Sequence, residues 1–236
     1  GLLHDRLFVR HWDTWKDGTR NHLFAYDLAT GTARDLMPAM DADCPTKPFG
    51  GSEDYAVSPD GKTVVFSARD AGREEAWSTN FDLWTAPLDG SAAPRRITTN
   101  PAWDAQPRFS PDGKRLAYLA MARAGYEADR YRVVVRDWAS GAETTFDLRA
   151  DASPRGDRSP AEIAWSADGR ELLMTADSVG QHPVFVMDAA TGRSRVLVAE
   201  GQAGSPQTMA GGRVLYTLNS LLGPTELHSI GRDGTG

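Results

Sequence analysis

Two stretches of the chain concentrate side chains able to hold a charged ligand. In GYEADR, Tyr126, Glu127 and Asp129 set an aromatic ring beside two carboxylates, with Arg130 placed to orient one of them by a paired contact. In EEAWSTN, Glu74 and Glu75 precede Trp77 and Asn80. Two acids beside an aromatic wall suit a protonated amine, because each charged hydrogen bond is worth about 1.5–3 kcal/mol and strengthens as water is excluded. The same residues have a plainer reading. Glu127 and Asp129 fit a solvated insertion whose acids pair with Arg130 and Arg132, and exposed ion pairs of that kind contribute little. Ser78, Thr79 and Asn80 fit a turn cap, and Trp77 fits a wedge buried against a neighbouring sheet. Both readings are open from the residues alone.

A third aromatic stretch, HWDTW, reads mainly as packing between sheets, with Asp13 satisfying an indole or backbone donor. Trp103 and Asp104 in NPAWDAQP are expected at the rim of any pocket formed nearby. Catalytic machinery is another matter. No G-x-S-x-G elbow is present, and GGSED at Gly50 lacks the second glycine and precedes a strand instead of following one. The five histidines show no metal-ligand spacing and read as solvated loop residues. No cofactor is expected.

What must position these loops is a repeat. SPDGK starts at Ser58 and again at Ser110, and SADGR starts at Ser166. The copies lie roughly fifty residues apart, somewhat longer than the roughly 40–45 residues of a compact four-stranded propeller blade, so loop insertions are expected. A second punctuation follows in phase, as glycine turns around Gly31, Gly90, Gly141 and Gly192. In SPDG the proline presets the first corner of a type I turn, aspartate favours the turn, and glycine takes the left-handed position after it. Between turns lie short β-rich runs such as TVVFS (63–67), RLAYLA (115–120), YRVVV (131–135) and LLMT (172–175), several of them continuously apolar and therefore buried on both faces.

The reading is all-β: a β-propeller of four-stranded antiparallel blades, incomplete, with about three full blades and two partial terminal ones. Blades are expected near 6–36, 53–98, 106–148, 162–198 and 207–234, the first holding three strands. They form one partial domain over 1–236, a run of blades from a larger ring, with self-association through exposed edges. With strands lettered A to D outward, SPDG is the A–B turn and the glycine turn is C–D. Both then lie on one face. The B–C connections, 11–21, 70–80, 121–130, 177–182 and 219–225, gather on the other, and they carry the chemistry.

Bulk properties exclude other classes. The chain has 236 residues, 40% hydrophobic and 25% charged, enough for a core. Its net charge of -6 gives no footprint for nucleic acid or anionic membranes. The single cysteine, Cys44, cannot form an internal disulfide, and no run approaches the roughly 18 apolar residues of a membrane span.

The succession HWDTW, GGSEDYAVSPDGK, EEAWSTNFDLW, NPAWDAQPRFSPDGKRLAY and AGYEADRYR resembles the propeller domain of the prolyl oligopeptidase family of serine peptidases, particularly its bacterial dipeptidyl-peptidase and acylaminoacyl-peptidase-like branch. SPDGK alone is shared by many propellers; AWSTN, NPAWDAQPRFSPDG and GYEADRYR are more specific. The resemblance implies a C-terminal α/β-hydrolase domain carrying the Ser, Asp and His triad, which this chain lacks, and a propeller that limits substrate size and holds the free amino end of a peptide. On that reading Glu127, Tyr126, Asp129, Glu74, Trp77 and Asn80 are the candidate substrate contacts, and by analogy the compartment is the periplasm, with the cytoplasm as the alternative. The alternative is a TolB-like protein-binding propeller without peptidase activity, against which the long B–C loops and incomplete terminal blades speak. Sialidase repeats insert a residue between Asp and Gly and add a tryptophan, neither of which SPDGK shows.

Overall fold

The computed structural model describes residues 1, 3–5, 7–149 and 158–236. Its strands are β1 (Arg10–His11), β2 (Thr14–Trp15), β3 (Phe24–Asp27), β4 (Thr32–Asp35), β5 (Tyr55–Val57), β6 (Thr63–Ala68), β7 (Asp82–Pro87), β8 (Arg95–Arg96), β9 (Asp104–Phe109) and β10 (Arg115–Ala120). They continue with β11 (Arg132–Asp137), β12 (Glu143–Phe146), β13 (Pro160–Trp165), β14 (Glu171–Ala176), β15 (Val184–Asp188), β16 (Ser194–Val198), β17 (Gln202–Thr208), β18 (Val214–Ser220) and β19 (Gly223–Ile230). β5–β8, β9–β12 and β13–β16 form four-stranded sheets in sequence order, and β17–β19 form a three-stranded one. The pairing in the blades is antiparallel, as a meander requires. This is the propeller-blade architecture read from the repeats. The helical content among the described residues is two short 3-10 turns, Ser52–Asp54 and Gly72–Ala76, the second inside a segment read from sequence as plain loop.

Two further segments differ from expectation. The three-stranded blade expected near 6–36 is seen, among the described residues, as two separate pairs, β1 with β2 and β3 with β4. The short, charged segment between Lys16 and His22 is drawn instead into ion pairs, described below. The loop expected at 219–225 is mostly strand, since β18 and β19 run up to a turn at Leu221 and Leu222 with Ser220 opposite Gly223.

The repeated turn has a physical basis that the proline alone does not supply. Ser58 Oγ donates to Asp60 Oδ1 (2.6 Å) and accepts the Thr63 amide (3.0 Å). Ser110 does the same with Asp112 and Arg115 (2.6 and 3.0 Å), and Ser166 with Asp168 and Glu171 (2.7 and 2.9 Å). Each aspartate also accepts the amide two residues on, from Lys62, Lys114 or Arg170. Gly61, Gly113 and Gly169 hold φ of 68°, 70° and 68°, where a Cβ is strained. The third copy has Ala167 in place of proline and makes the same set of bonds. Serine, aspartate and glycine are therefore what the turn needs.

The chain divides into two compact units. The first comprises 1–107 with 120–129. Its core packs Leu36, Met37, Ala42, Cys44, Val64, Phe66, Ala68 and Ala86. β6 is buried along nearly all its length, which its continuous apolar run requires. The second unit comprises 108–119 with 130–236. There β10, β11, β13, β14 and β15 supply a core around Leu119, Val133, Trp165, Leu172, Met174, Phe185 and Met187. The Trp165 indole donates to the Arg108 carbonyl at 2.8 Å, so its polar atom does not oppose burial. A second cluster, with Leu173, Val184, Val186, Ala203, Val214 and Tyr216, joins β14–β15 to β17–β18. Each large apolar side chain among them contributes about 1.5–3 kcal/mol by leaving water.

Candidate functional site

In the first unit the loop after β6 turns through Gly72–Ala76, where the tight 3-10 winding sends neighbouring side chains in divergent directions. Glu74 faces solvent, and among the described residues its carboxylate has no hydrogen bond or ion pair. Glu75 turns inward and is 8% exposed. Arg20 grips it with both terminal nitrogens (2.8 and 2.9 Å), and Lys16 adds a third contact at 2.9 Å. Arg20 also donates to Asp41 (2.9 Å) and Asp43 (2.8 Å), and Lys47 approaches Asp43 at 3.4 Å. Burial pushes the Glu75 pKa up, but the hydrogen bonds from Arg20 and Lys16, reinforced by their charges, overcome it and hold the group at about 2. Glu75 is thus committed to structure, while its neighbour is free.

The second candidate loop meets the first through one bond: the Gly125 amide donates to Thr79 Oγ1 at 3.0 Å. Tyr126 is 43% exposed, with the Arg123 guanidinium 4.2 Å from its ring centroid. Glu127 is exposed, and its charge reaches both His11 and Arg69. Trp77 is 65% exposed and fills no inter-sheet gap. Glu74, Trp77, Tyr126 and Glu127 therefore stand on two joined loops with their functional groups accessible.

Two sequence candidates are occupied otherwise. Asp129 Oδ2 accepts the Ala122 and Arg123 amides, each at 2.8 Å, and so clasps the base of its own loop. Asn80, with its amide oriented to satisfy its neighbours, donates to the Asn100 and Ala102 carbonyls (2.9 and 2.8 Å). That ties EEAWSTN to the NPAW segment. Arg130, expected to orient one of the loop acids, pairs instead with Asp147 at 2.7 Å within the second unit. The backbone amides compete successfully for Asp129 because they lie within its own turn.

Nearby residues depart from the expectation for HWDTW. The segment forms the β1–β2 hairpin with Trp12 and Trp15 71% and 68% exposed, so neither is packed between sheets. Asp13 serves no indole; Thr14 Oγ1 donates to it at 3.4 Å. His11 stacks on Phe8 with centroids 4.6 Å apart, and its pKa is lowered, first by burial and then by the charges of Arg69 and Lys16. Histidines His22 and His182 are likewise engaged, with Asp35 (2.9 Å) and Asp177 (2.8 Å), and are not merely solvated. Trp103 stacks on Phe81 at 4.3 Å, and Asp104, fully buried, accepts from Asn100 at 2.8 Å. Both hold the loop bases together.

Arg69, at the end of β6, was not singled out by sequence, since a lone arginine after a strand carries no signal. Its guanidinium lies against Phe81 (4.8 Å) and Phe8 (5.8 Å) and donates to the Ser78 carbonyl at 2.8 Å. Burial lowers its pKa, against the charges of Glu75 and Glu127. Lys16 and Arg20 were also passed over, although they sit among the tryptophans of a segment read for its aromatics. A cavity of about 170 Å³ opens beside the ion pairs, lined by the N-terminal Leu3, Leu7 and Phe8 together with Lys16, Arg20 and Glu75. No group of residues suited to a metal ion occurs among the described residues.

The fold is shared with solved propellers. The chain superimposes on TolB from Acinetobacter baumannii with TM-score 0.61 and 21% identity, covering 90% of this chain and 46% of that one. It matches a Mycobacterium tuberculosis puromycin-hydrolyzing peptidase with TM-score 0.62 and 17% identity, covering 93% of this chain and 35% of that one. At these identities the likeness establishes the fold. Sequence relatives go further. Dipeptidyl-peptidase 5 of Trichophyton equinum is 36% identical over 205 residues, 79% of this chain and 28% of the relative. That of Arthroderma otae is 36% identical over 203 residues, 78% and 27%. No protein-family model matches the chain. The chain belongs to the prolyl oligopeptidase family, of which it is a β-propeller region, and it spans about a quarter of the length of these curated relatives.

Proposed function

We propose that this propeller works with a C-terminal α/β-hydrolase domain of a serine exopeptidase, limiting access to it and holding the free amino end of a peptide substrate. The observation that carries the reading is the pair of joined loops, bridged by Gly125 and Thr79, on which Glu74 and Glu127 keep uncommitted carboxylates beside the exposed rings of Trp77 and Tyr126. The name of the relatives, dipeptidyl-peptidase, denotes an activity that must measure from a chain end. A protonated amine is the part of a peptide that marks such an end, and carboxylates with an aromatic wall are its natural complement. On this reading Asp129 and Asn80 serve the site by fixing the loops.

The test is Glu127→Gln and Glu74→Gln in the full-length protein, with peptides whose amino ends are free or acetylated. Loss of a charged hydrogen bond, about 1.5–3 kcal/mol, lowers kcat/KM for the free-amine substrate roughly tenfold to a hundredfold. Acetylated substrates are expected to change little. Equal loss on both, or none on either, removes the amine anchor from the reading.

A TolB-like role in docking a protein partner is favoured by one observation, the superposition on TolB over nine-tenths of the chain. It is the weaker reading, because the sequence relatives are peptidases. Self-association belongs with either. β19 is an eight-residue strand paired, among the described residues, only to β18, and an open edge of that length invites a second copy.

A further inference from the structure

The ion pairs around Glu75 leave one cation over. Lys16, Arg20 and Lys47 are matched by Asp41, Asp43 and Glu75, each within 4 Å of at least one of them. Arg69 makes no ion pair among the described residues. Its Nε is buried and has no hydrogen-bond partner, and the acid whose charge reaches it from outside the network, Glu127, is exposed. A guanidinium stripped of water on its aromatic sides, with the charges of Glu75 and Glu127 nearby but no carboxylate in contact among the described residues, gains from a further one. Arg69 also lines a recess, open to solvent, with His11, Lys16, Asp43, Lys47 and Glu75. The two carboxylates there are already held by cations, so the wall keeps a net positive charge.

We propose that this recess is a carboxylate subsite: one oxygen of a peptide carboxylate, from an acidic side chain or from a chain terminus, enters it and accepts hydrogen bonds from Arg69, with Lys16 and Lys47 behind. The recess has room for about one water-sized group, which suits a single carboxylate oxygen. Arginine is the residue best shaped to meet a planar carboxylate edge-on, and the Phe81 and Phe8 rings fix its orientation beforehand. The subsite stands independently of amine anchoring, because nothing in it uses Glu74 or Glu127.

The experiment is binding of three amino-acetylated probes to this 236-residue chain by calorimetry or NMR titration. Acetyl-Ala-Asp-Ala-amide carries only a side-chain carboxylate, acetyl-Ala-Ala-Ala only a terminal one, and acetyl-Ala-Asn-Ala-amide none. At least one acid probe is expected to bind tenfold or more tighter than the amide control, and whichever does so identifies the source of the carboxylate. Arg69→Gln, checked for folding by circular dichroism, removes that preference, while Arg69→Lys retains part of it. Equal affinity for all three probes on the unaltered protein overturns the proposal without any variant. So does a preference that survives Arg69→Gln. Because every probe has a blocked amino end, loss of the amine-anchoring reading leaves this result standing, and the converse holds as well.

Discussion

Replacing Arg20 by methionine isolates the charge network from its packing, since methionine keeps most of the apolar stem and removes the guanidinium. Arg20 makes four charged hydrogen bonds, to Asp41, Asp43 and twice to Glu75, and the side chains of Arg20 and Glu75 are 14% and 11% exposed. Breaking a buried pair from one side costs about 3–5 kcal/mol. Lys16 still serves Glu75 and Lys47 still serves Asp43, and solvent reaches the rim, so the expected loss is about 3 kcal/mol. For a protein of this size that is a fall in Tm of roughly 6–12 °C at pH 7. The pH dependence gives the sharper check. Glu75 has a folded pKa of about 2, below its ordinary 4.5, so its contribution is present above about 4.5 and is lost as pH falls toward 2. The deficit of Arg20→Met is therefore expected to fall below half by pH 3. Thermal unfolding followed by circular dichroism at pH 7, 5 and 3 measures it. A Tm change under 2 °C at pH 7, or one that is the same at all three pH values, would refute the assignment of Glu75 as a held carboxylate.

Three other outcomes are expected. Ser110→Ala removes the buried hydroxyl that ties the exposed Asp112 to the Arg115 amide, and is expected to cost about 1–3 kcal/mol; Pro111→Ala, like the natural Ala167, is expected to cost under 1 kcal/mol, and urea midpoints for the two variants compare them. The Cys44 thiol is fully buried and its pKa is raised, by burial first and then by Asp54 and Asp43, so a disulfide reagent is expected to react only at the rate of unfolding; prompt reaction in native buffer would contradict its placement. Light scattering is expected to show a dimer if the β19 edge recruits a second copy, and Leu227→Lys, which places a charge on that exposed strand, should return the monomer; a monomer at all concentrations would remove self-association.

The blade pattern was legible because it is written in local chemistry. The Ser-x-Asp-Gly turn closes within six residues, from Ser58 to Thr63, so its cause and its effect lie in one window of sequence. The continuous apolar run of β6 announces burial on two faces for the same reason. The site was legible only in part. The residue types of Glu74, Trp77, Tyr126 and Glu127 stand out in the sequence, whereas the two amides that Asp129 accepts, from Ala122 and Arg123, do not. Arg20 meets Glu75 across 55 positions, and Gly125 meets Thr79 across 46. Pairings at that range depend on how the blades are joined, which no window of sequence contains.

Glu74 and Glu75 show why the distinction matters for function. They are adjacent, identical in chemistry and indistinguishable by composition, yet one is turned into a cage of cations and the other out to solvent. The 3-10 turn makes the division, because at three residues per turn neighbours diverge by about 120°. The inward acid holds the loop to Arg20 and so fixes the direction in which the outward one points. A loop with both acids turned outward would lose its own attachment, since nothing would then hold Glu75 to Arg20 and Lys16. Committing Glu75 to Arg20 leaves Glu74 placed by a rigid neighbour, and the same logic applies across the Gly125 bridge, where Asp129 clasps the loop that presents Glu127. In each loop one acid fixes position while the other stays exposed.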